Sequence, residues 1–182
     1  MLNIHSIKGS DIAPVEISSV TGRRRLESYV WPDMVPRYKV LNAALSLAAS
    51  ASLPPVEAMD ARAFFERELQ AWQQNSSLSD SDSDEVVVTV FSHSWVWNYL
   101  PPADQASITA LMNEASAKAT PSHPLAWLRM EDAASKNVDT EIRLSLWTGG
   151  DNVVDHLIAS SHPHAVWIVP VSVPFLKVAE ST

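Results

Sequence analysis

The sequence predicts an α/β fold: a doubly wound, mostly parallel sheet flanked by helices, with an antiparallel hairpin at its C-terminal edge. Three observations carry this. Residues 86–91, VVVTVF, form an unbroken apolar and β-branched run, the pattern of a strand buried on both faces of a parallel sheet. Residues 56–74 read as short strand, acidic cap and amphipathic helix, the rhythm of a βα unit. In residues 141–147, Ile142, Leu144 and Leu146 alternate with Arg143 and Ser145, as in a half-exposed antiparallel strand. A chain of 182 residues, 46% apolar, can bury about 70% of its unfolded surface, so one domain over 1–182 is expected.

The elements follow in order. Residues 2–7 are a strand candidate ended by Lys8-Gly9-Ser10-Asp11, and 12–17 continue extended around Pro14. Thr21 opens a helix carrying Leu26, Tyr29 and Val30 on one side, and Pro32 closes it by pushing Trp31 out of the α region. Asp33 is the expected N-cap of the next helix, with Pro36 in its first turn. Val35, Tyr38, Leu41, Leu45 and Ala48 then recur at helical spacing to about Ala51. Pro54-Pro55 breaks that helix; 56–59 make a brief strand, and Asp60 caps a helix over 61–74 whose apolar set is Phe64, Phe65, Leu69 and Trp72. Residues 75–84, NSSLSDSDSD, have no apolar anchor and read as a disordered acidic loop.

After the 86–91 strand, Pro101-Pro102 is pre-set for a first helical turn, and Ile108, Leu111, Met112 and Ala115 form the inner face of a helix to about Ala119. Residues 125–130 and 141–147 are the next strands. Gly149-Gly150 turns the chain, 153–158 read as a short helix, and 166–173 as a final strand.

Composition excludes several functions. A net charge of -8 builds no basic stripe, so a nucleic acid is not the expected partner. Arg23-Arg24-Arg25 is the one basic cluster and reads as an exposed helical turn. The absence of cysteine removes disulfides, thiolate nucleophiles and cysteine-ligated metals. No window approaches a membrane span of roughly 18 apolar residues, and the first residues lack the pattern of a secretory leader. The expected address is the cytoplasm, with no membrane partner. The four glycines, Gly9, Gly22, Gly149 and Gly150, form neither G-x-G-x-x-G nor a P-loop, so no phosphate cradle is predicted.

Polar residues just past the carboxyl end of a strand stand where open α/β sheets bind ligands, which singles out Ser92-His93-Ser94. His93 is the candidate catalytic residue: it can act as a general base near neutral pH, stack over a ligand ring, or satisfy a buried backbone group. Ser92 and Ser94 are not expected nucleophiles, because no glycine supplies the strained turn of G-x-S-x-G. His162-x-His164, with His156 nearby, matches no zinc spacing and reads as a surface loop, so no metal is expected. Trp95, Trp97, Trp127, Trp147 and Trp167, in or beside strands, read as packing residues.

Several segments together resemble a known family. They are Gly9-x-Asp11-x-x-Pro14, Tyr29-Val30-Trp31-Pro32-Asp33 with Arg37, Met59-Asp60-Ala61, Phe91-Ser92-His93-Ser94 with Tyr99-Leu100-Pro101, Ala126-Trp127-Leu128-Arg129, the stretch from Leu144 to Gly150, and Pro163-His164. In this order they resemble the bacterial domain of unknown function 2332. Full-length members carry, upstream, a glycine-containing segment of the kind Gly-Ala/Ser-Ser-Ala-Gly-Leu-Asn, which looks like the first motif of Rossmann-like S-adenosylmethionine-dependent methyltransferases. This sequence begins after that point, so the resemblance implies a Rossmann-like domain incomplete at its N-terminus. The chain departs from the family at Ala165, where a glycine is usual, and at Pro170, which stands near an expected aromatic.

The resemblance implies S-adenosylmethionine as cofactor. It places Asp60 near the adenine ring, with Ala61 leaving room, and Asp11 as the ribose-contacting acid. Phe91, Ser92 and His93 would line the pocket's edge. The same positions have plainer readings, Asp60 as an N-cap and Asp11 as a turn residue. The alternative to a methyltransferase is a non-catalytic remnant or interaction module with no cofactor. Its exposed sheet would then be covered by self-association or by a partner.

Overall fold

The computed structural model describes residues 3–51, 54–75, 86–133, 140–150, 152–164 and 166–171. They belong to two compact units, Met1–Phe64 and Phe65–Thr182. The expected acidic loop lies, Asn75 apart, outside the described residues. The fold is mixed α/β, with one parallel sheet and one mixed sheet.

In the first unit, β1 (Gly9–Asp11) runs parallel to β2 (Val56–Ala58), with Gly9 opposite Val56 and Asp11 opposite Ala58. The strand expected over 2–7 does not form: residues 3–7 carry no strand, Ile4 and Ile7 are exposed, and the predicted turn at Gly9–Asp11 is the strand instead. A strand exists only where a partner ladder meets it, and β2 offers three residues. Between β1 and β2 run α1 (Val20–Ser28) and α2 (Val35–Ser50). Ser19 caps α1 by accepting the Gly22 amide at 2.9 Å. A Cβ on Gly22 would stand 1.9 Å from the Glu16 carbonyl oxygen, so only glycine fits this close approach.

The expected Asp33 cap of α2 is not made. Met34 is the N-cap and its side chain makes no cap bond. Pro36, in the first turn, has no N–H to offer a capping carboxylate. Of the expected inner face of α2, Leu45 is buried and Leu41 and Ala48 are half-buried, whereas Val35 and Tyr38 are exposed. The apolar stripe is therefore one face shorter than the sequence spacing suggests.

The α3 helix (Ala61–Asn75) starts under the Asp60 cap, whose Oδ1 accepts the Ala63 amide at 2.9 Å. Of its expected apolar set, Phe65, Leu69 and Trp72 are buried and Phe64 is half-buried. In the second unit the sheet order is β3 (Thr89–Ser94), β4 (Leu125–Asp132), β5 (Thr140–Trp147), β6 (Val153–Ser161) and β7 (Ile168–Pro170). The pair β3–β4 is parallel, joined through α4 (Pro102–Ser116), and the other three pairings are antiparallel. The antiparallel part therefore extends well beyond a hairpin. The links after β4, β5 and β6 are too short for a crossover helix, so each strand must turn back on its neighbour.

The strand expected over 86–91 is displaced to 89–94 and is not buried on both faces: it lies at the edge of its sheet, Val90 is 53% exposed, and only Phe91 is buried. Val86, Val87 and Val88 precede it as exposed chain, because the pairing begins with Thr89 opposite Leu125. The helix expected over 153–158 is strand β6. Its apolar spacing mimics a helix because register shifts near Leu144 mark a bulge on the β5–β6 ladder, and an extra residue breaks the period of two. On β5 the burial is also inverted: Thr140, Glu141, Ser145 and Trp147 are buried while Leu144 and Leu146 are half-buried. Of the final strand expected over 166–173, residues 168–170 form β7, and 172–173 lie outside the described residues.

Of the expected inner face of α4, Ile108, Met112 and Ala115 are buried and Leu111 is half-buried. Among the described residues no helix is long and apolar enough to cross a membrane. The turn after β5 depends on Gly149, whose φ is +76° and whose position would set a Cβ 2.6 Å from the Ala119 carbonyl oxygen. Gly149→Ala is expected to destabilise the fold by about 2 kcal/mol, combining the left-handed backbone with the clash. Chemical denaturation of both proteins checks this, and an unchanged midpoint would show that the turn relaxes freely.

Candidate functional site

Strand alternation divides the residues at the end of β3. Phe91 and His93 point to one face, and Ser92 and Ser94 are exposed on the other. Phe91 is core: its ring lies 5.0 Å from that of Phe65 on α3. His93 sits one step further along the same face, its side chain only 8% exposed. Its ring stacks on Trp97 at 5.2 Å and 13°, with Trp127 at 5.8 Å and the edge of Phe65 at 6.5 Å. An imidazole inside an aromatic box needs a defined partner for each nitrogen.

Nδ1 has that partner in Glu131 of β4, whose Oε1 lies 2.6 Å away. The same carboxylate accepts two backbone amides of the turn that follows β3, Val96 at 3.3 Å and Trp97 at 3.2 Å. That turn is strained at Trp95, a bulky residue at φ +52°. Glu131 thus does two things: it selects the His93 tautomer with the proton on Nδ1, and it holds the strained turn closed. In the neutral ring His93 Nε2 is then the acceptor nitrogen; it is buried and, among the described residues, has no hydrogen-bond partner. Trp95 Nε1, Trp127 Nε1 and Arg129 Nε share that condition. The carboxyl ends of β3 and β4 therefore gather several buried polar atoms around an aromatic box.

Beside this box lies a charged network on the same sheet face. The Arg129 guanidinium stands 4.6 Å over the Trp127 ring and pairs with the Asp155 carboxylate. Asp155 also faces Arg143, whose Nη1 donates to the Asp155 carbonyl at 2.7 Å and lies 3.3 Å from Oδ2. Arg143 Nε donates to Glu141 at 2.7 Å. The hydrogen bond that Arg143 donates to Glu141 holds its guanidinium above its ordinary pKa, against burial and with further help from Asp155. The β6 irregularity explains the aim of Asp155: its φ is +51°, and its amide donates to Ser145 Oγ at 2.9 Å instead of to a ladder carbonyl.

The remaining predicted residues are in the first unit. Asp11 ends β1 and its Oδ1 accepts the Ala13 amide at 2.7 Å, an Asx turn. The β1 carbonyl of Asp11 also accepts the Met59 amide at 3.0 Å, so Asp11 and Asp60 stand at the carboxyl ends of two adjacent parallel strands. Ala61, half-buried, opens α3 directly after Asp60. Each carboxylate gives one oxygen to its own turn. The structure therefore brings Asp11, Asp60 and Ala61 together in one unit; in the other, Phe91 and His93 share a sheet face and Ser92 is exposed on the opposite one. His162 and His164 lie with rings 5.6 Å apart, and His162 Nδ1 accepts the His164 amide at 3.0 Å. Among the described residues no group of three or more His, Asp or Glu is placed to hold a metal ion.

Glu131, Asp155 and Arg143 are the site residues that sequence reading does not find. Glu131 was legible only as the residue past a strand, and nothing local links it to His93, 38 positions earlier in the chain. No curated protein and no solved structure matches the chain. A family model does match, over residues 1–169, and it covers both the Asp11–Asp60 strand ends and the His93–Glu131 box. By that match the chain belongs to the uncharacterised proteins conserved in bacteria that form the domain of unknown function 2332 family.

Proposed function

We propose that this chain is a Rossmann-like domain that binds S-adenosylmethionine and acts as a methyltransferase on a small-molecule acceptor. The observation that carries the reading is the pair Asp11 and Asp60 at the carboxyl ends of adjacent parallel strands. Open α/β sheets bind ligands at such ends. Each acid commits one oxygen to its own turn, at Ala13 and Ala63, and keeps the other to accept from a ribose hydroxyl or an adenine amine. The residues present thus fit the polar part of the group. The cofactor would supply the methyl group; Asp11 and Asp60 would orient it.

His93, in the second unit, carries a proton-accepting nitrogen of its own. Glu131 holds the proton on Nδ1, leaving Nε2 to take one from an acceptor hydroxyl or amine.

Calorimetric titration with S-adenosylmethionine tests the reading. Asp60→Asn separates the two roles of the acid, since asparagine caps a helix as well as aspartate does. The variant is expected to melt with the parent and to bind about tenfold more weakly, the worth of one charge-assisted hydrogen bond. No binding by the folded parent chain overturns the reading.

A second reading, a non-catalytic interaction module, is favoured by the edge of β3. That edge is unpaired among the described residues, and Val86, Val87, Val88 and Val90 beside it are each between 45% and 53% exposed. No lysine or proline guards residues 86–94 against another strand. A chain that fails the cofactor titration while remaining folded is left with this reading.

A further inference from the structure

The sequence motif around Trp31 has no part in the proposed cofactor site, yet it builds a concave feature of its own. The end of α1, the turn at Trp31 and Pro32, and the start of α2 enclose a cleft of about 270 Å³ lined by Glu27, Val30, Trp31, Pro32, Val35 and Tyr38. Its walls are apolar and aromatic. Trp31 is 74% exposed and Tyr38 44%, large rings that a closed core would have covered. The cleft's one ionisable carboxylate is Glu27.

Glu27 follows Arg23, Arg24 and Arg25 on α1, and two of these arginines donate elsewhere. Arg23 Nε donates to the Ile17 carbonyl at 2.9 Å, and Arg25 Nε to the Tyr29 hydroxyl at 2.8 Å. Among the described residues the Glu27 side chain has no hydrogen-bond or ion-pair partner. A single carboxylate in a concavity with an indole and a phenol ring combines two attractions for one kind of ligand. Both the ring faces and the carboxylate favour positive charge, while Val30, Pro32 and Val35 favour a ligand whose charge is wrapped in methyl groups.

We infer that this cleft is a binding site for a methylated organic ammonium ion. The inference is independent of the cofactor reading, whose residues Asp11, Asp60 and His93 do not line the cleft. A bare metal cation is disfavoured, since one carboxylate supplies too few oxygen ligands. An anionic ligand is disfavoured by Glu27 itself.

The test uses the full chain and a matched pair of probes. Choline and its neutral carbon isostere, 3,3-dimethylbutan-1-ol, have the same shape and differ in charge. Titration is followed by the indole N–H resonance of Trp31, assigned by its disappearance in Trp31→Phe. Choline is expected to shift that resonance saturably in the millimolar range, with the isostere at least about fivefold weaker, as a partly exposed cation–π site demands. Glu27→Gln, a surface change that leaves the helix intact, is expected to weaken choline about threefold and leave the isostere unchanged. Equal binding of the two probes, or no shift with choline to about 100 mM, overturns the inference.

Discussion

Trp127→Ala is expected to cost this fold about 4 kcal/mol, the largest effect of any single change at the site. Trp127 is 5% exposed on β4, its ring lies 6.2 Å from Phe65, 5.8 Å from His93 and 5.6 Å from Trp97, and Arg129 stacks on its other side. Truncation removes the shared wall of the aromatic box. The cavity cannot collapse easily, because its neighbours come from α3, β3 and the turn after β3, held by helix, ladder and the Glu131 carboxylate in turn. The Arg129 guanidinium would lose its stacking partner while keeping Asp155. Trp127→Phe retains most of the apolar volume and is expected to cost only about 1 kcal/mol. Urea denaturation of the three proteins checks the ranking; a loss below about 1 kcal/mol for the alanine variant would mean that the box is not a packed unit.

Glu131→Ala is expected to cost about 3 kcal/mol, by a different mechanism. The side chain is small in apolar area, but it satisfies three donors at once: His93 Nδ1–H and the amides of Val96 and Trp97. Removing it leaves a buried imidazole with both nitrogens unpaired and releases a turn whose Trp95 is at φ +52°. Glu131→Gln keeps the shape and one accepting oxygen, so it is expected to lose about half as much. Nitrogen NMR of the His93 ring gives a readout that stability alone does not. The parent should show the proton on Nδ1, and Glu131→Ala should show a mixture of tautomers. An unchanged tautomer in the alanine variant would remove Glu131 from its positioning role.

The two variants separate packing from polar satisfaction in one small volume. If both are costly, the end of β3 is a rigid platform, as a site that orients a ligand must be.

Much of this arrangement is written in local residue patterns. The helix cap at Asp60, the buried set Phe65, Leu69 and Trp72, the α4 face of Ile108, Met112 and Ala115, and the β4–β5 antiparallel pair are all read from spacing. These features depend on neighbours three or four residues away, or on the simple alternation of a strand, and propensity and periodicity encode such neighbours directly. His93 was legible for the same reason: it is a polar residue at the end of an apolar run.

What only the tertiary structure decided depends on partners distant in the chain. Val86 to Val88 have the composition of a buried strand, yet they stay outside the ladder because β4 begins at Leu125 and pairs first with Thr89. Residues 153–158 have a helical spacing, yet they form β6 because the Arg143 and Ser145 edge of β5 draws them into a bulged ladder that turns Asp155 toward two guanidinium groups. The partner that gives His93 its chemistry, Glu131, is fixed by the parallel register of β3 on β4, which sets His93 opposite Arg129 and one pleat from Glu131. Sequence spacing determines which residues share a face of one element; which elements meet, and in what register, is set by long-range pairing that no local pattern contains.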